Sequence, residues 1–319
     1  MFGVTTGFSQ NRINMKSSTA NLLLLTAGAI WGLGFIAQQT AMQDISPMVF
    51  VASRFLLAGL SVLPLAIREY TKSDTNLTKQ KVAQFGGVGV VFFLAMALQQ
   101  VGLLRTTVTN AGFLTVLYVV IVPLICVLVL RERQPVVIWL TAACSVFGVY
   151  LLSSGAISNL NWGDACVILA ACVWAIHVII VGRVTHESAH PVTMACIQFF
   201  ACGLLGLLTE GLLLMLGLSK QLPSTAAITA AGFEILYAGI VSGGIAFTLQ
   251  AVAQRHTTAS IAAILMASES LFAAVFGAVL LHERLDLRGY IGCGLIFASI
   301  AASEWLSRRQ DDAVDRSPA

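Results

Sequence analysis

The chain has 319 residues, of which 57% are hydrophobic and only 10% are charged, with a formal net charge of +3. Soluble domains carry about 25% charged residues, so this composition indicates an integral membrane protein in contact with a lipid bilayer. The Lys and Arg residues are scattered between apolar runs and form no patch, which argues against nucleic-acid binding. The seven cysteines lie in apolar segments without CxxC spacing, so we expect buried thiols, no metal site and no cofactor.

Ten apolar stretches follow one another along the chain, each near the roughly 20 residues that cross a bilayer as a helix. The sequence therefore predicts an all-α membrane protein with ten transmembrane helices, preceded by a tail at 1–18 and followed by a tail at 307–319. The predicted helices lie at about 20–41, 47–67, 83–104, 107–130, 135–153, 163–183, 191–217, 227–254, 258–281 and 287–306.

Positive charges are divided unequally between the two sides of these helices. With a cytoplasmic N-terminus, the inner loops and tails hold 13 Lys and Arg residues and the outer loops hold 4, and Arg54 inside the second helix completes the 18. Because Lys and Arg accumulate on the cytoplasmic side of membrane proteins, both termini are predicted to be cytoplasmic. The expected location is the inner (plasma) membrane.

An internal repeat divides the chain into two halves. A shift of 151 residues places RTTVTNAGFLTVLYVVIVPLICVLVLRER on HTTASIAAILMASESLFAAVFGAVLLHER, and a shift of 143–144 relates the beginnings of the halves. Each half holds five predicted helices, and because five is odd the second half enters the membrane in the opposite orientation. The predicted repeats cover 19–155 and 156–306. Many secondary transporters are inverted repeats with a substrate site near the midplane.

Several stretches resemble a known family. WGLGFIAQQTA, SRFLLAGL, AGFLTVLYVVIVP…LRER and YAGIVSGGIAFTLQAVAQRHTTASIAAILMASESLFAAVFGAVLLHERL are similar to EamA-type transporters of the drug/metabolite transporter superfamily. The resemblance covers about residues 20–306 and implies a ten-helix inner-membrane carrier that works by alternating access. It also implies a central cavity lined mainly by the first four helices of each half. Relatives usually have Glu-Pro in the ninth helix, whereas Glu269 precedes Ser270 here, so we expect a less kinked helix.

Glu269 is the most informative single residue, because it lies almost at the middle of the ninth predicted helix. A carboxylate at that depth costs about 2.5–3.5 kcal/mol on insertion scales, so such residues normally face a cavity or a partner. Glu269 could bind substrate and exchange protons with a cavity. Alternatively, it is a protonated structural group hydrogen-bonded to Ser268, Ser270 or a neighbouring helix. Its repeat partner is Tyr118, which we expect across the cavity.

Other polar and aromatic residues inside the helices are candidates for contact with a small-molecule substrate. Arg54 could bind an anionic group or form a structural pair, and its repeat partner Gln198 is neutral. Glutamines suit polar metabolites because amides donate and accept, but they equally suit interhelical hydrogen bonds. The tryptophans could stack on substrate or pack between helices, and His177 could relay protons or be a satisfied interior group. The predicted contacts are Trp31, Gln39, Arg54, Gln99, Tyr118, Trp174, His177, Gln198, Gln250 and Glu269.

Glu132 and Glu283 end the fourth and ninth helices, in RER and HER. Their repetition predicts a shared structural role at the hairpin into the next helix, such as accepting hydrogen bonds from its first amides. A role in gating is the alternative.

The leading hypothesis is a secondary transporter, an exporter of small metabolites or drug-like solutes, with proton coupling as an option. No Walker A sequence is present, which argues against ATP-driven pumping by this chain. The alternatives are an intramembrane enzyme and a channel-like permeation protein. We expect no enzyme, because HExxH, GxSG and paired carboxylates at metal-ligand spacing are absent, and no selectivity motif of a channel appears.

Overall fold

The computed structural model describes residues 15–73, 75–153, 160–188, 190–219, 223–280 and 285–315, and these form helices and connecting turns with no strand. Nine stretches of the described chain are long and apolar enough to cross a membrane, and the shorter apolar helix Val136–Leu152 completes the predicted ten. The helices are α1 (Ser17–Trp31 and Gly34–Ala41), α2 (Pro47–Lys72), α3 (Lys79–Gly102), α4 (Val108–Val116 and Tyr118–Leu128), α5 (Val136–Leu152), α6 (Trp162–Glu187), α7 (Pro191–Met215), α8 (Thr225–Ala230, Gly232–Leu236, Tyr237–Ala246 and Phe247–Gln254), α9 (Ala259–Met266 and Ser268–Leu280) and α10 (Leu287–Asp315).

The sequence repeat is also a repeat of local structure, most clearly in α4 and α9. Thr107 and Thr258, which the shift of 151 superposes, both cap their helix by accepting a hydrogen bond from the amide three residues on. Both helices are interrupted nine or ten residues later, at Leu117 and at Ala267. Pro123 cannot be the shared cause, because α9 is interrupted without a proline. The predicted all-α fold of two inverted five-helix repeats is therefore confirmed, while the exact repeat boundaries stay a prediction.

The two repeats exchange their first helices. Helix α1 packs against α8 and α9 of the second repeat, and α6 packs against α3 and α4 of the first. With α2 lying on α8, and α7 lying on α3, the core divides into bundle A (α3, α4, α6 and α7) and bundle B (α1, α2, α8 and α9). Each bundle therefore contains helices from both halves of the sequence.

Reciprocal contacts mark the pseudo-twofold axis between α2 and α7. A Cβ on Gly59 would lie 3.0 Å from the Phe200 ring, and a Cβ on Gly203 would lie 2.8 Å from Leu56 Cγ. The shift of 144 residues converts one contact into the other, as expected where a surface patch meets its own symmetry equivalent. On the other side of the molecule α5 and α10 pack closely.

Carboxylates form hydrogen bonds between α2 and α7 at both ends of this helix pair. At one end Glu69 accepts hydrogen bonds from the amides of Val192 (3.1 Å) and Thr193 (2.7 Å). These amides lie in the first turn of α7, where they have no acceptor within the helix. At the other end Glu210 accepts from Ser46 Oγ, at 2.9 Å, at the start of α2. The pair is thus held by hydrogen bonds at both membrane faces, a feature that the apolar pattern of the sequence did not reveal.

Candidate functional site

A cavity of about 60 Å³ lies between bundles A and B. Its walls come from α1, α2, α3, α4, α6, α8 and α9. The structure therefore places a cavity among the first four helices of both repeats, with α7 as the exception. Seven of the ten predicted contact residues line it: Trp31, Arg54, Gln99, Tyr118, Trp174, Gln250 and Glu269.

Two tryptophans related by the repeat form much of the aromatic wall. Trp31 Nε1 donates to the carbonyl of Ser242 at 3.1 Å, and Trp174 Nε1 donates to Gln99 Oε1 at 2.9 Å. Phe247 lies next to both rings, 4.6 Å from Trp31 and 5.8 Å from Trp174 between centroids. Because both indole N–H groups have partners, the two rings are held in fixed orientations at the cavity wall.

The wall at Trp31 departs from the repeat. Ser242, whose carbonyl holds this indole, belongs to the glycine-rich segment Tyr237–Ala246, which is a π-helix. The equivalent part of α3 is a regular α-helix. Wide turns of this kind occur frequently at functional sites.

On the side predicted to be outer, amides close the cavity. Gln99 Nε2 donates to Gln38 Oε1 at 3.3 Å, and Gln100 Nε2 donates to the Gln38 carbonyl at 3.2 Å, which links α3 to α1. Gln38 is buried and lines the cavity, whereas Gln39 is exposed and does not. Since consecutive helical residues point about 100° apart, only one of them can face inward. The predicted contact was Gln39, and the structure places Gln38 at the cavity instead.

On the opposite side, α8 is tied to α6. Gln254 Nε2 donates to the Val178 carbonyl at 2.9 Å, and Gln250 Nε2 donates to Gln254 Oε1 at 2.8 Å. Gln254 was not among the predicted residues, although it follows Gln250 by one turn and therefore shares its face of the helix. The cavity is thus bounded by amide hydrogen bonds between the bundles on both sides.

No hydrogen bond or ion pair joins the Glu269 carboxylate to any other described residue. Its side chain is 8% exposed and lines the cavity, as does Tyr118. The Ser268 hydroxyl, one of the predicted structural partners, is buried without a hydrogen-bond partner in the described chain. The carboxylate therefore has no donor among the described residues, and it belongs to a residue that lines open space.

A second, larger space reaches Glu269 from the side predicted to be outer. This outer groove has a volume of about 430 Å³ and is largely apolar. It is lined by the second piece of α1, the first piece of α4, the end of α5 and the second piece of α9. Glu269 and Phe35 line both the groove and the central cavity, so the two spaces meet at these two residues.

The remaining predicted contacts lie behind the cavity wall. His177 is fully buried with Nε2 at 3.1 Å from Gln198 Oε1, and neither side chain lines the cavity. The Phe92 ring lies 5.0 Å from the imidazole. Over the described ranges, no three His, Cys, Asp or Glu side chains come close enough to hold a metal ion.

Glu132 lies at the end of α4, where its carboxylate accepts a hydrogen bond from Arg183 of α6 at 2.8 Å. It is not bonded to the first amides of α5 as the hairpin hypothesis expected; it connects two helices of bundle A instead. Its predicted counterpart Glu283 lies outside the described residues.

Comparisons with known proteins agree with this architecture. A solved structure superposes with a TM-score of 0.72 over 91% of this chain and 97% of that chain, and at 16% identity this likeness shows the fold alone. A protein of Archaeoglobus fulgidus named "uncharacterized transporter" is 28% identical over 294 residues, covering 90% of this chain and 86% of the relative. The "uncharacterized transporter YoaV" of Bacillus subtilis is 22% identical over 307 residues, covering 90% and 97%.

The family profile settles the resemblance noted in the sequence. The EamA-like transporter family matches the chain twice, at residues 18–154 and 161–303. The two matches correspond to the two halves of the repeat. The chain therefore belongs to the EamA-like transporter family.

Proposed function

We propose that the protein is a secondary transporter that exports small metabolites or drug-like solutes by alternating access, with Glu269 as the proton-coupling residue. The observation that carries the proposal is the position of Glu269, which lines both the central cavity and the outer groove and has no partner for its carboxylate among the described residues. An ionisable side chain at such a place can exchange a proton with the groove and respond to a solute in the cavity.

The two bundles supply the moving parts for alternating access. Amide hydrogen bonds link them on both sides of the cavity, through Gln38 on one side and Gln254 on the other. Hydrogen bonds between membrane helices contribute only about 0.6 kcal/mol on average, so either closure can open at low cost. Rocking about the α2·α7 and α5·α10 pairs would then expose the cavity to one side at a time.

Export follows from proton exchange in the predicted location. The inner membrane of a respiring cell has a proton gradient directed into the cytoplasm, so a carrier that exchanges one proton for one solute moves the solute outward. The family and the names of the relatives indicate a transporter rather than an enzyme.

Counterflow in proteoliposomes tests the carrier mechanism. The solute would be the one that stabilises the purified protein most in a thermal screen of metabolites, since stabilisation grows with ln(1 + [L]/Kd). Preloading the vesicles with unlabelled solute should accelerate uptake of labelled solute. A channel or an enzyme shows no such trans-stimulation, and its absence would refute the proposal.

Glu269→Gln tests the coupling role. The variant should keep counterflow, which needs no net proton movement, and should lose transport driven by a pH gradient. The matched control is Glu210→Gln, which changes another buried carboxylate that is bonded to Ser46 and Ser219 instead of facing the cavity. This control should keep its pH-driven transport. Unchanged pH-driven transport in Glu269→Gln would refute the coupling role.

A further inference from the structure

Arg54 is the one described Lys or Arg that lines the central cavity, and its charge is not neutralised there. The side chain is 1% exposed, and Nε and Nη1 are buried without a hydrogen-bond partner in the described chain. Neither ion pair found among the described residues involves Arg54 or Glu269, so these two charges share a cavity without joining.

The aromatic rings beside Arg54 do not replace a partner. The guanidinium carbon lies 4.5 Å from the Phe55 ring centroid and 5.3 Å from that of Phe50. Cation–π contacts of this kind contribute about 0.5–2 kcal/mol but supply no hydrogen-bond acceptor. The Nε and Nη1 donors therefore remain without an acceptor in the described chain. A buried charge without compensation costs several kcal/mol, so an acceptor beside the guanidinium would be strongly stabilising.

We propose that Arg54 binds the carboxylate of a small organic monoanion with an apolar body, and that this ion is a solute of the transporter. The substrate class deepens the proposed function and rests on it. A guanidinium matches a carboxylate through two parallel N–H···O bonds, which provides orientation as well as attraction. The anion would take the acceptor position that no described protein group fills.

The charges of the cavity favour a monoanion over a phosphate-like dianion. Arg54 supplies one positive charge, and Glu269 is the one described acidic residue in the lining. With Glu269 protonated, Arg54 alone balances a monoanion, whereas a dianion keeps an excess negative charge in a water-poor space. With Glu269 ionised, its carboxylate repels both anions, and it repels the dianion more strongly.

The rest of the lining suits an apolar or aromatic body. Trp31, Trp174 and Phe247 present ring surfaces, and the outer groove that meets the cavity at Phe35 is largely apolar. Gln38 and Gln99 already bond to each other across the bundles, so fewer of their donors and acceptors remain for a polyhydroxylated solute.

Ligand-induced thermal stabilisation of the full-length protein in detergent tests the proposal at one fixed pH near neutrality. The probes are benzoate, benzamide, which has nearly the same shape without the charge, and inorganic phosphate. Benzoate should stabilise the wild-type protein at concentrations at which benzamide and phosphate do not. Equal stabilisation by benzamide, a preference for phosphate, or no effect of any probe would overturn the proposal.

Variants locate the effect. Arg54→Gln should weaken benzoate binding at least tenfold, and Arg54→Lys should weaken it less, because lysine keeps the charge but not the paired donors. The control is Gln198→Ala at the repeat-related position, which does not line the cavity and should leave benzoate affinity unchanged. Wild-type affinity in Arg54→Gln would overturn the assignment. If an Arg54 variant fails to fold, the comparison of the three probes on the wild-type protein still decides.

The two proposals can fail separately. Binding is measured without transport, so benzoate could bind at Arg54 in a protein that shows no counterflow, which would refute the carrier mechanism alone. Conversely, if another solute shows counterflow while the protein binds benzoate no better than benzamide, the anion site alone is refuted.

Discussion

Replacing Gly32 by alanine would force α1 away from α9 beside Glu269. A Cβ on Gly32 would lie 2.9 Å from the Ala273 amide nitrogen and 3.0 Å from the Glu269 carbonyl oxygen, whereas ordinary contacts begin at 3.4 Å. Both neighbours are backbone atoms, so neither can turn aside. Helix α1 would have to withdraw by about 0.5 Å, the difference between 2.9 and 3.4 Å.

The expected loss follows from this overlap. Overpacking of a well-packed interior typically costs about 1–3 kcal/mol. Alanine recovers at most about 1 kcal/mol of helix propensity, and less here because Gly32 lies in the interruption between the two pieces of α1. A net loss of about 1–2 kcal/mol would shorten the half-life at a fixed elevated temperature roughly five- to thirtyfold. The fraction of monodisperse protein remaining after timed heating in detergent measures this half-life.

The neighbouring Gly28 provides the contrast. A Cβ there would overlap Ser268 Oγ, but this hydroxyl makes no hydrogen bond within the described chain and can rotate, so Gly28→Ala should cost less. Removing the hydroxyl as well, in Gly28→Ala/Ser268→Ala, should restore the half-life. Gly294→Ala meets no heavy atom of the described residues within 4 Å and should be neutral or stabilising. If Gly32→Ala proves as stable as Gly294→Ala, the close approach of α1 to α9 is wrong.

Two further substitutions test side-chain contacts between helices. Gln254→Leu removes the hydrogen bond to the Val178 carbonyl, and because such bonds contribute about 0.6 kcal/mol it should raise the population open on the predicted cytoplasmic side about threefold. Distances between spin labels at the ends of α6 and α8 measure this population, and an unchanged distribution would count against the closure. Arg183→Gln breaks the ion pair with Glu132. The Arg183 and Glu132 side chains are 52% and 50% exposed, so we expect less than about 1 kcal/mol of destabilisation. The effect on half-life should shrink in 1 M salt, and a large salt-independent loss would contradict a surface pair.

The positions of the helices follow from the sequence because bilayer thickness constrains their length. The predicted sixth helix, 163–183, lies within Trp162–Glu187, and the predicted start of the second coincides with Pro47. The repeat could also be predicted, because Thr107 and Thr258 begin helices that occupy equivalent places in the two halves.

The faces of these helices could not be derived in the same way. Lipid is as apolar as the protein interior, so hydrophobicity does not separate outward from inward positions. Leu208 and Leu212 are 69% and 54% exposed on the same helix that buries Phe199 and Met194 completely. The choice between Gln38 and its neighbour therefore depended on packing. Local hydrogen bonds, such as that between His177 and Gln198, were likewise invisible.

The interruptions of α1, α4 and α9 and the π-helix of α8 also lay beyond the sequence pattern. Pro123 is the one proline inside these four helices over their described ranges, and it lies six residues beyond the interruption of α4. The interruption at Ala267 instead comes where α1 approaches the α9 backbone through Gly28 and Gly32. Close packing of two helices is a property of both partners, and no single stretch of sequence contains it.

The repeat builds a symmetric frame around an asymmetric set of charges. Trp31 donates to α8 and Trp174 donates to α3, so the two tryptophans occupy equivalent places although their acceptors differ. Arg54 lines the cavity while its counterpart Gln198 lies next to His177, and Glu269 occupies the position equivalent to Tyr118 with a carboxylate in place of a phenol. If the halves exchange conformations during transport, the cavity keeps its shape but presents different charges to the two sides. A charged solute would then bind with unequal affinity in the two states, which is the condition under which a proton at Glu269 can bias the direction of transport.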